Sequence, residues 1–181
     1  HRMSSAASDV YKRQVNTNEI YNKRHLVPFG EYIPFTSSLR GLIDFFDMPM
    51  SNVSHGSSNQ NNIRINSIDG VSFSPLICFD VAFGNTVRKS NISSNFMINV
   101  SNDTWFGKSM GPYQHLAITR IRAIENNKWI IRATNDGISA IITNNGTIVD
   151  KLDKNISGVI NSGINFTYKR SIYNIFGHYI P

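Results

Sequence analysis

The chain has 181 residues, of which 40% are hydrophobic, so it is long enough for one domain with a sizeable core. It has one cysteine, which excludes an intramolecular disulfide and leaves the thiol free. The formal net charge is +6, but the basic residues are scattered and do not alternate with aromatic residues. This pattern argues against a nucleic-acid partner and favours a membrane-facing surface. No apolar run reaches the roughly 20 residues that span a bilayer.

The first residues of the chain look foreign to the rest. Residues 9–14 have the sequence DVYKRQ, which one reading frame of a transposon-type sequencing adapter would encode, and they follow a Ser/Ala-rich stretch. We therefore interpret residues 1–14 as a non-native leader left by sequence assembly. Residues 15–181 are then the native part, and we expect it to be cut at its N-terminus.

The first half of the chain alternates between loop-like and strand-like segments. Residues 21–35 combine two prolines, a glycine and several aromatic residues, which is typical of a rigid, irregular loop. Apolar spacing predicts a short helix over residues 39–50, and the Asn/Ser-rich residues 51–62 are expected to be exposed. The run VSFSPLICFD, at residues 71–80, predicts a buried strand that ends in a sharp turn before a helix.

The second half adds more strands. A buried strand is predicted over Phe96–Val100 and is followed by a polar and aromatic loop at residues 101–107. The segment WIIRAT, at residues 129–134, predicts a further buried strand. Asn145-Gly146 lies between two strand-like segments and predicts a hairpin whose two-residue turn requires positive φ at both positions.

One longer helix completes the pattern. Pro112 suits the first turn of a helix that continues to about Asn126. The residues expected on its apolar face are Leu116, Ala117, Ile121 and Ile124. Strands that alternate with amphipathic helices indicate an α/β layered fold, and no internal repeat or domain boundary is evident.

Cys78 is the first candidate for chemistry. It follows a buried strand where the chain turns towards a helix, and the backbone N–H groups and helix dipole there favour a thiolate. The same N–H groups can receive the oxygen of a tetrahedral intermediate. The alternative is a small buried hydrophobic residue without chemistry. Asp80 is unusual at the end of an apolar run and favours the nucleophile, although it suits a helix N-cap equally.

Lys23 and Glu31 flank the turn VPFG and have two interpretations. Isolated charged residues are usually solvated surface groups. Within a stiff loop of prolines and aromatic residues, however, charged groups are costly to hold unless they are paired. A Lys–Glu pair close to a thiol can stabilise an oxyanion and orient the ammonium group.

The histidines suggest no further site. His25, His55, His115 and His178 have no His, Cys or acidic partner at ligand spacing along the chain, and His1 belongs to the leader. We therefore expect surface or core positions for them. The sequence also has no phosphate-binding glycine loop, so neither a metal nor another cofactor is predicted.

Five segments occur in a characteristic order: YNKRHLVPFGEYIPF, ICFD, SNDTWFGKSMGPYQH, RIRAIE and RATNDGISA. In this order and spacing they resemble the bacterial apolipoprotein N-acyltransferases, membrane enzymes that carry a nitrilase-type (carbon–nitrogen hydrolase) domain. The resemblance covers nearly all of residues 21–179. It implies a nitrilase-type α-β-β-α sandwich, incomplete at the N-terminus. It also implies a position on the periplasmic side of the bacterial inner membrane, among transmembrane helices that are missing from this chain.

The resemblance also implies roles for individual residues. Cys78 matches the family's nucleophile and Lys23 its catalytic lysine, and Glu31 resembles a second glutamate that supports them. The family's first glutamate, the general base, has no counterpart here, so we expect the chain to be inactive alone. The residues expected to bind substrate are Phe79, Asp80, Asn102, Trp105 and Phe106. The family often has Tyr and Glu in place of the first two.

The implied reaction moves an acyl chain in two steps. Cys78 takes the acyl chain from a phospholipid as a thioester and passes it to the α-amine of a diacylglyceryl-cysteine apolipoprotein. Trp105 and Phe106 either shape an apolar channel for that chain or pack in the core. Two other functions stay open: a soluble nitrilase-like amidase that hydrolyses a small amide, and a catalytically silent nitrilase-fold module that only binds partners.

Overall fold

The computed structural model describes residues 19–28, 30–32 and 53–179. The expected leader, residues 1–14, and the expected short helix, residues 39–50, lie outside the described residues. The elements are, in chain order, β1 (Ile63–Arg64), β2 (Ser72–Ile77), a 3₁₀ turn (Cys78–Ala82), α1 (Gly84–Ser90), β3 (Phe96–Asn102), a second 3₁₀ turn (Thr104–Phe106), α2 (Gly111–Asn126), β4 (Ile130–Asn135), β5 (Ser139–Ile142), β6 (Ile148–Leu152), α3 (Ile172–Phe176) and a third 3₁₀ turn (Gly177–Tyr179). Within these ranges, each helix is too short or too polar to cross a bilayer.

A mixed sheet of six strands, in the order β1-β2-β3-β4-β5-β6, forms the centre of the fold. The central strands β2, β3 and β4 are parallel, and α1 and α2 make the crossovers between them. The outer pairs are antiparallel. The predicted α/β class is therefore confirmed. The described residues contribute this one sheet and its helices to the expected sandwich.

Each face of the sheet has its own apolar cluster, because successive side chains of a strand point to opposite faces. One cluster joins the sheet to the helices, and it includes Leu76, Val87, Met97, Leu116 and Ile130. The other covers the opposite face, and it includes Ile63, Phe73, Phe96 and the partly buried Trp129 and Phe166. Apolar side chains therefore occur on both faces of the parallel strands, as is typical of a sheet that is buried on both sides.

The register of the parallel strands places several polar residues at one edge. Ile77 pairs with Val100, and Asn102 pairs with Asn135. The residues that follow β2, β3 and β4 therefore emerge together at the carboxyl edge of the sheet. In open α/β sheets this edge is where ligands bind.

The helix α2 begins and ends close to the predicted positions, but of its predicted apolar face only Leu116 is buried. Ile121 and Ile124 are about half exposed, and Ala117 is also exposed. The buried residues are Pro112, His115, Leu116, Thr119, Ala123 and Asn126. Three of these six are polar, so a search for apolar periodicity selects the wrong stripe. Their hydrogen bonds inside the protein compensate for the loss of water.

The hairpin at Asn145-Gly146 is confirmed, but its turn type is wrong. Only Gly146 has positive φ, at 81°. Its N–H donates to the Thr143 carbonyl at 2.9 Å, and the Thr143 N–H donates to the Thr147 carbonyl at 2.9 Å. These bonds describe a longer loop, in which a turn is followed by one left-handed glycine. A Cβ at Gly146 would also lie 2.8 Å from the side chain of Ile124.

Candidate active site

Cys78 lies at the carboxyl end of β2, where the chain turns sharply as predicted. Its φ is 48°, in the left-handed region that non-glycine residues rarely occupy. It is the first residue of the 3₁₀ turn and is partly exposed. Strained backbone of this kind persists only where the surroundings hold it, and it is frequent at functional sites. A partly exposed thiol on a strained turn differs from a buried, inert cysteine.

Asp80 connects this turn to the loop that carries Lys23. The Asp80 carboxylate is fully buried. Its Oδ2 accepts hydrogen bonds from the Tyr21 hydroxyl at 2.9 Å and from the Ile77 N–H at 3.2 Å. Its Oδ1 accepts the N–H of His25 at 2.8 Å. Tyr21 and His25 lie on either side of Lys23, so one carboxylate holds both flanks of the lysine close to the nucleophile's turn.

The Asp80 carboxylate is fully buried and accepts three hydrogen bonds from the protein, whereas the resemblance implied that it binds substrate. The alternative prediction, that Asp80 is a helix N-cap, is met in a different form. Asp80 caps the 3₁₀ turn from its third residue, with Ile77 in the N-cap position. Burial, together with the adjacent Asp80 carboxylate, raises the pKa of Tyr21, so the phenol remains a donor.

Lys23 and Glu31 form a direct ion pair. The Lys23 Nζ lies 2.5 Å from Oε1 and 2.6 Å from Oε2 of Glu31. The Val27 N–H donates to Glu31 Oε2 at 2.8 Å, which fixes the carboxylate within the loop. The two side chains are 11% and 28% exposed, so the pair is partly open to water. The interpretation of these residues as independent solvated charges is therefore wrong.

A chain of aromatic contacts packs the same loop onto the 3₁₀ turn. The His25 ring stacks on Phe83 with a centroid distance of 3.7 Å, and Phe79 meets Phe83 edge-on at 5.0 Å. The Thr86 hydroxyl lies 2.8 Å from His25 Nε2. Burial lowers the pKa of His25, although the Asp80 charge opposes this shift. Phe79 thus supports the Lys23 loop through Phe83.

A second group of polar side chains lies beneath Cys78, between the sheet and α2. Asp103 and Arg132 are buried, and Arg132 Nη2 donates to Asp103 Oδ2 at 2.7 Å. His115 Nδ1 lies 2.9 Å from Asp103 Oδ1, and His115 Nε2 lies 3.3 Å from the backbone carbonyl oxygen of Cys78. Arg132 Nη1 also donates to Asn99 Oδ1, whose amide donates to the Leu76 carbonyl at 3.2 Å. We call Asn99, Asp103, His115 and Arg132 the buried network.

The buried network keeps Asp103 ionised. Burial alone would raise the pKa of Asp103, but the hydrogen bond from His115 and the charge of Arg132 lower it overall. The Ser101 hydroxyl also donates to Asp103 Oδ1, at 2.6 Å. A Cβ on Gly137 would lie 2.4 Å from Asp103 Oδ2, so a glycine is needed at this close approach. Burial lowers the pKa of Arg132, while the charge of Asp103 opposes the shift.

The other expected substrate-binding residues lie in the loop after β3. Asn102 is partly exposed, and its Oδ1 accepts the Thr104 N–H at 3.3 Å. Trp105 is 69% exposed, which excludes the alternative that it packs in the core. Phe106 is 38% exposed, and its ring meets the His115 ring at 5.9 Å. The two aromatic residues therefore form an open apolar surface beside the buried network.

His115, Asp103 and Arg132 were not among the predicted site residues. His115 has no partner at ligand spacing along the chain, whereas Asp103 lies twelve residues earlier and meets it in space. A usable signal was present. Asp103 and Arg132 each lie in or directly after a strand with a buried apolar sequence, where an unpaired charge would be costly. Within the described ranges, no three His, Cys, Asp or Glu side chains are grouped so as to hold a metal ion.

Comparisons with known proteins agree on the type of fold. The model of the carbon–nitrogen hydrolase family matches residues 8–173, a range that begins inside the expected leader. A protein of Photobacterium profundum, named apolipoprotein N-acyltransferase, is 39% identical over 158 residues, which are 87% of this chain and 30% of that protein. A protein of the same name from Pseudomonas syringae pv. tomato is 42% identical over 140 residues, 77% of this chain and 27% of that protein.

A solved structure has a similar fold. The NitN amidase from Nesterenkonia sp. AN1 superposes with a TM-score of 0.50 at 19% identity, covering 74% of this chain and 47% of the amidase chain. The likeness concerns the fold alone. This chain spans only about 30% of the length of the named relatives.

Proposed function

The chain belongs to the carbon–nitrogen hydrolase family, and from that premise we propose that it is the nucleophile-bearing part of an apolipoprotein N-acyltransferase. The relatives that carry this name are about 40% identical over most of the chain. The proposal assigns the chemistry to Cys78, with Lys23 and Glu31 as its partners. Phe79, Asn102, Trp105 and Phe106 are assigned to the substrate side, and Asp80 to positioning.

One observation carries the proposal. The Cys78 thiol is presented by a left-handed residue at the carboxyl edge of the parallel strands. Asp80, two residues further along, accepts hydrogen bonds from Tyr21 and His25, which lie on either side of Lys23. One carboxylate thereby joins the turn that carries the nucleophile to the loop that carries the lysine. Covalent catalysis needs such a preorganised set, because the charge that develops on the acyl oxygen must be met by donors already in place.

The first half-reaction loads the acyl chain onto the protein. The Cys78 thiolate attacks the carbonyl carbon of a phospholipid acyl ester, and the negative charge moves to the carbonyl oxygen. The Lys23 ammonium and the N–H of Phe79 stabilise this oxyanion. When the intermediate collapses, the C–S bond remains and the C–O bond breaks, so the lysophospholipid leaves and takes up a proton. Glu31 keeps the ammonium oriented throughout, through its two contacts with Nζ.

The second half-reaction passes the acyl chain to the acceptor. The α-amine of a diacylglyceryl-cysteine apolipoprotein attacks the thioester carbon, a C–N bond forms and the C–S bond breaks. The amine loses a proton and the Cys78 thiolate is regenerated. A covalent carrier divides one difficult transfer into two easier steps. Trp105 and Phe106 offer exposed apolar surface along which an acyl chain can lie.

The setting follows from the substrates. A phospholipid donor and a lipidated acceptor both reside in a membrane, so the domain would act on the periplasmic side of the bacterial inner membrane. Transmembrane helices outside this chain would anchor it, and no nucleic acid would be involved. We also infer that residues 1–14 are a non-native leader and that residues 15–181 are the family domain. Sequencing the genomic locus upstream of Val15 tests that inference.

The decisive experiment uses the complete product of the gene. It is mixed with vesicles that contain phosphatidylethanolamine and with a diacylglyceryl-cysteine peptide, and both Cys78 and the peptide are examined by mass spectrometry. We expect a thioester on Cys78 and an amide on the peptide, and we expect Cys78→Ala to lose both. Acylation that survives in Cys78→Ala would identify a silent binding module. Hydrolysis of small amides without acyl transfer would identify an amidase.

The 181-residue chain is expected to give neither product from phospholipid, because the family's general base lies upstream of its matching segment. A thioester on Cys78 of this chain in the presence of phospholipid vesicles would contradict that expectation. The exposed residue Val159 offers a matched control. Val159→Ala in the complete gene product should acylate like its parent, since this side chain is 91% exposed and outside the site.

A further inference from the structure

We propose that His115 is a positioning residue that orients the oxyanion-binding N–H of Phe79 by holding the carbonyl of Cys78. The inference rests on the proposed role of Cys78 as an acyl-accepting nucleophile. It concerns a residue that has no place in the Lys23, Glu31 and Cys78 set. The contact that carries it is the 3.3 Å distance between His115 Nε2 and the Cys78 carbonyl oxygen.

Each nitrogen of the His115 ring faces an oxygen atom that can accept a hydrogen bond. Nδ1 faces Asp103 Oδ1 at 2.9 Å, and Nε2 faces the Cys78 carbonyl oxygen at 3.3 Å. A carbonyl oxygen can only accept, and Asp103 is held as a carboxylate by Arg132 and by His115 itself. The proposal requires Nε2 to donate to the Cys78 carbonyl oxygen, and Nδ1 faces the carboxylate. Of the charged groups, Asp103 contacts the ring directly and Arg132 contacts Asp103.

The consequence for Phe79 follows from the planar peptide bond. The carbonyl of Cys78 and the N–H of Phe79 belong to one planar unit and point in opposite directions. When His115 holds the carbonyl on the buried side, the N–H is directed away from the buried network. The proposal requires a substrate oxygen bound at the thiol to lie in that direction. The same contact restrains the left-handed backbone at Cys78, whose φ is 48°.

His115 is itself fixed by the network. Its carbonyl accepts the Thr119 hydroxyl at 2.8 Å, and its ring packs edge-on against Phe106. Asp103 is fixed in turn by Arg132 at 2.7 Å and by Ser101 at 2.6 Å. The His115 ring therefore has little freedom to move with the Cys78–Phe79 peptide plane if that plane rotates. Preorganised donors of this kind need no rearrangement when the oxyanion forms.

Two amide substitutions separate the two contacts of the ring. Glutamine places its NH₂ near the position of Nε2, so His115→Gln keeps a donor for the Cys78 carbonyl. Asparagine places its NH₂ near the position of Nδ1, so His115→Asn keeps a donor for Asp103 and loses the one for Cys78. Both variants are uncharged and polar. Asn91→Ala serves as the control, because it removes a buried amide whose hydrogen bonds, to Val87 and Ser94, lie away from Cys78.

Two reagents separate oxyanion stabilisation from thiol reactivity. p-Nitrophenyl acetate acylates a thiol through a tetrahedral oxyanion, whereas iodoacetamide alkylates it without one. Because the chain has one cysteine, mass spectrometry of the intact protein reports both rates for Cys78. We expect His115→Asn to slow acylation about tenfold, the equivalent of one hydrogen bond, and to leave alkylation within about threefold. His115→Gln and Asn91→Ala should acylate within about threefold of the parent.

Every other pattern contradicts the proposal. His115→Asn with parental acylation, equal losses in both amide variants, or equal losses with both reagents would each remove His115 from oxyanion positioning. So would a parent whose ratio of acylation to alkylation is no higher than in the urea-unfolded chain. If a variant fails to fold, the ¹⁵N shifts of the His115 ring in the parent decide, since an unprotonated Nε2 contradicts the proposal. None of these outcomes bears on phospholipid acyl transfer, which is measured separately.

Discussion

Two ion pairs belong to the segments that pack against the Cys78 turn, and they differ in their access to water. The Lys23–Glu31 pair on the loop side is 11% and 28% exposed, whereas the Asp103–Arg132 pair on the sheet side is 0% exposed at both side chains. A partly exposed pair can separate and meet a substrate at little cost. A buried pair cannot, because breaking it leaves an uncompensated charge. The loop side is therefore suited to chemistry, and the sheet side to fixing the turn.

The largest expected effect tests the buried side. Arg132→Met leaves the Asp103 carboxylate buried without its cation, and we expect the free energy of unfolding to fall by about 3 to 5 kcal/mol. Lys151→Met is the matched control. It breaks an ion pair whose side chains are 49% and 66% exposed, and it should cost no more than about 1 kcal/mol. Urea denaturation measures both, and equal losses would end the distinction between the two sides.

The second prediction concerns Lys128, a buried cation that lies outside the buried network. Lys128 is 1% exposed and its ammonium donates to the Thr167 carbonyl, and burial lowers its pKa to about 8. Below pH 8 both the folded and the unfolded chain bind the proton. Between pH 8 and about 10.4 only the unfolded chain binds it, so stability should rise with pH in this window.

The measurement is the free energy of unfolding at pH 7.5 and at pH 10. The contribution of Lys128 to the increase should be on the order of 2 kcal/mol, obtained as the difference between the parent and Lys128→Met. The subtraction removes the titration of other groups. If the parent and the variant have the same pH slope, then Lys128 keeps its ordinary pKa in the folded state.

A third prediction concerns the carboxylate that joins the loop to the turn. Asp80→Asn keeps one acceptor oxygen and replaces the other with an NH₂ group, which opposes donors such as Tyr21. We expect a loss of about 1 to 2 kcal/mol in unfolding free energy. Hydrogen exchange of the His25 amide should also become faster. Asp69→Asn, at an exposed position, is the control and should change neither value.

The smallest expected effect is at Trp105. Because this side chain is 69% exposed, Trp105→Ala should change the free energy of unfolding by no more than about 0.5 kcal/mol. Leu76→Ala, in the core cluster, should cost about 2 to 5 kcal/mol in the same thermal and urea melts. A large loss for Trp105→Ala would mean that the aromatic surface is packed, and it would remove the argument that this surface is open to an acyl chain.

Local pattern predicted the strands and helix that frame the site. The apolar runs at residues 71–80 and 96–100 became β2 and β3, and Pro112 began the helix within one residue of its observed start. The buried face of α2 was mispredicted because His115, Thr119 and Asn126 point inwards and break the apolar spacing. The turn of the hairpin was mispredicted because the dipeptide Asn145-Gly146 does not specify the loop length. Only Gly146 takes positive φ there.

The sequence by itself determined the α/β class and the candidates Cys78, Lys23 and Glu31, because each depends on local order and on neighbours a few residues away. Only the tertiary structure decided which charges meet. His115 and Asp103 are twelve residues apart, and Asp103 and Arg132 twenty-nine, and their contact depends on the register of β3 against β4 and on the packing of α2. The physical reason is that a buried charge requires a partner, but the type of the charged residue does not specify which residue that partner is. The strands and the helix make that choice.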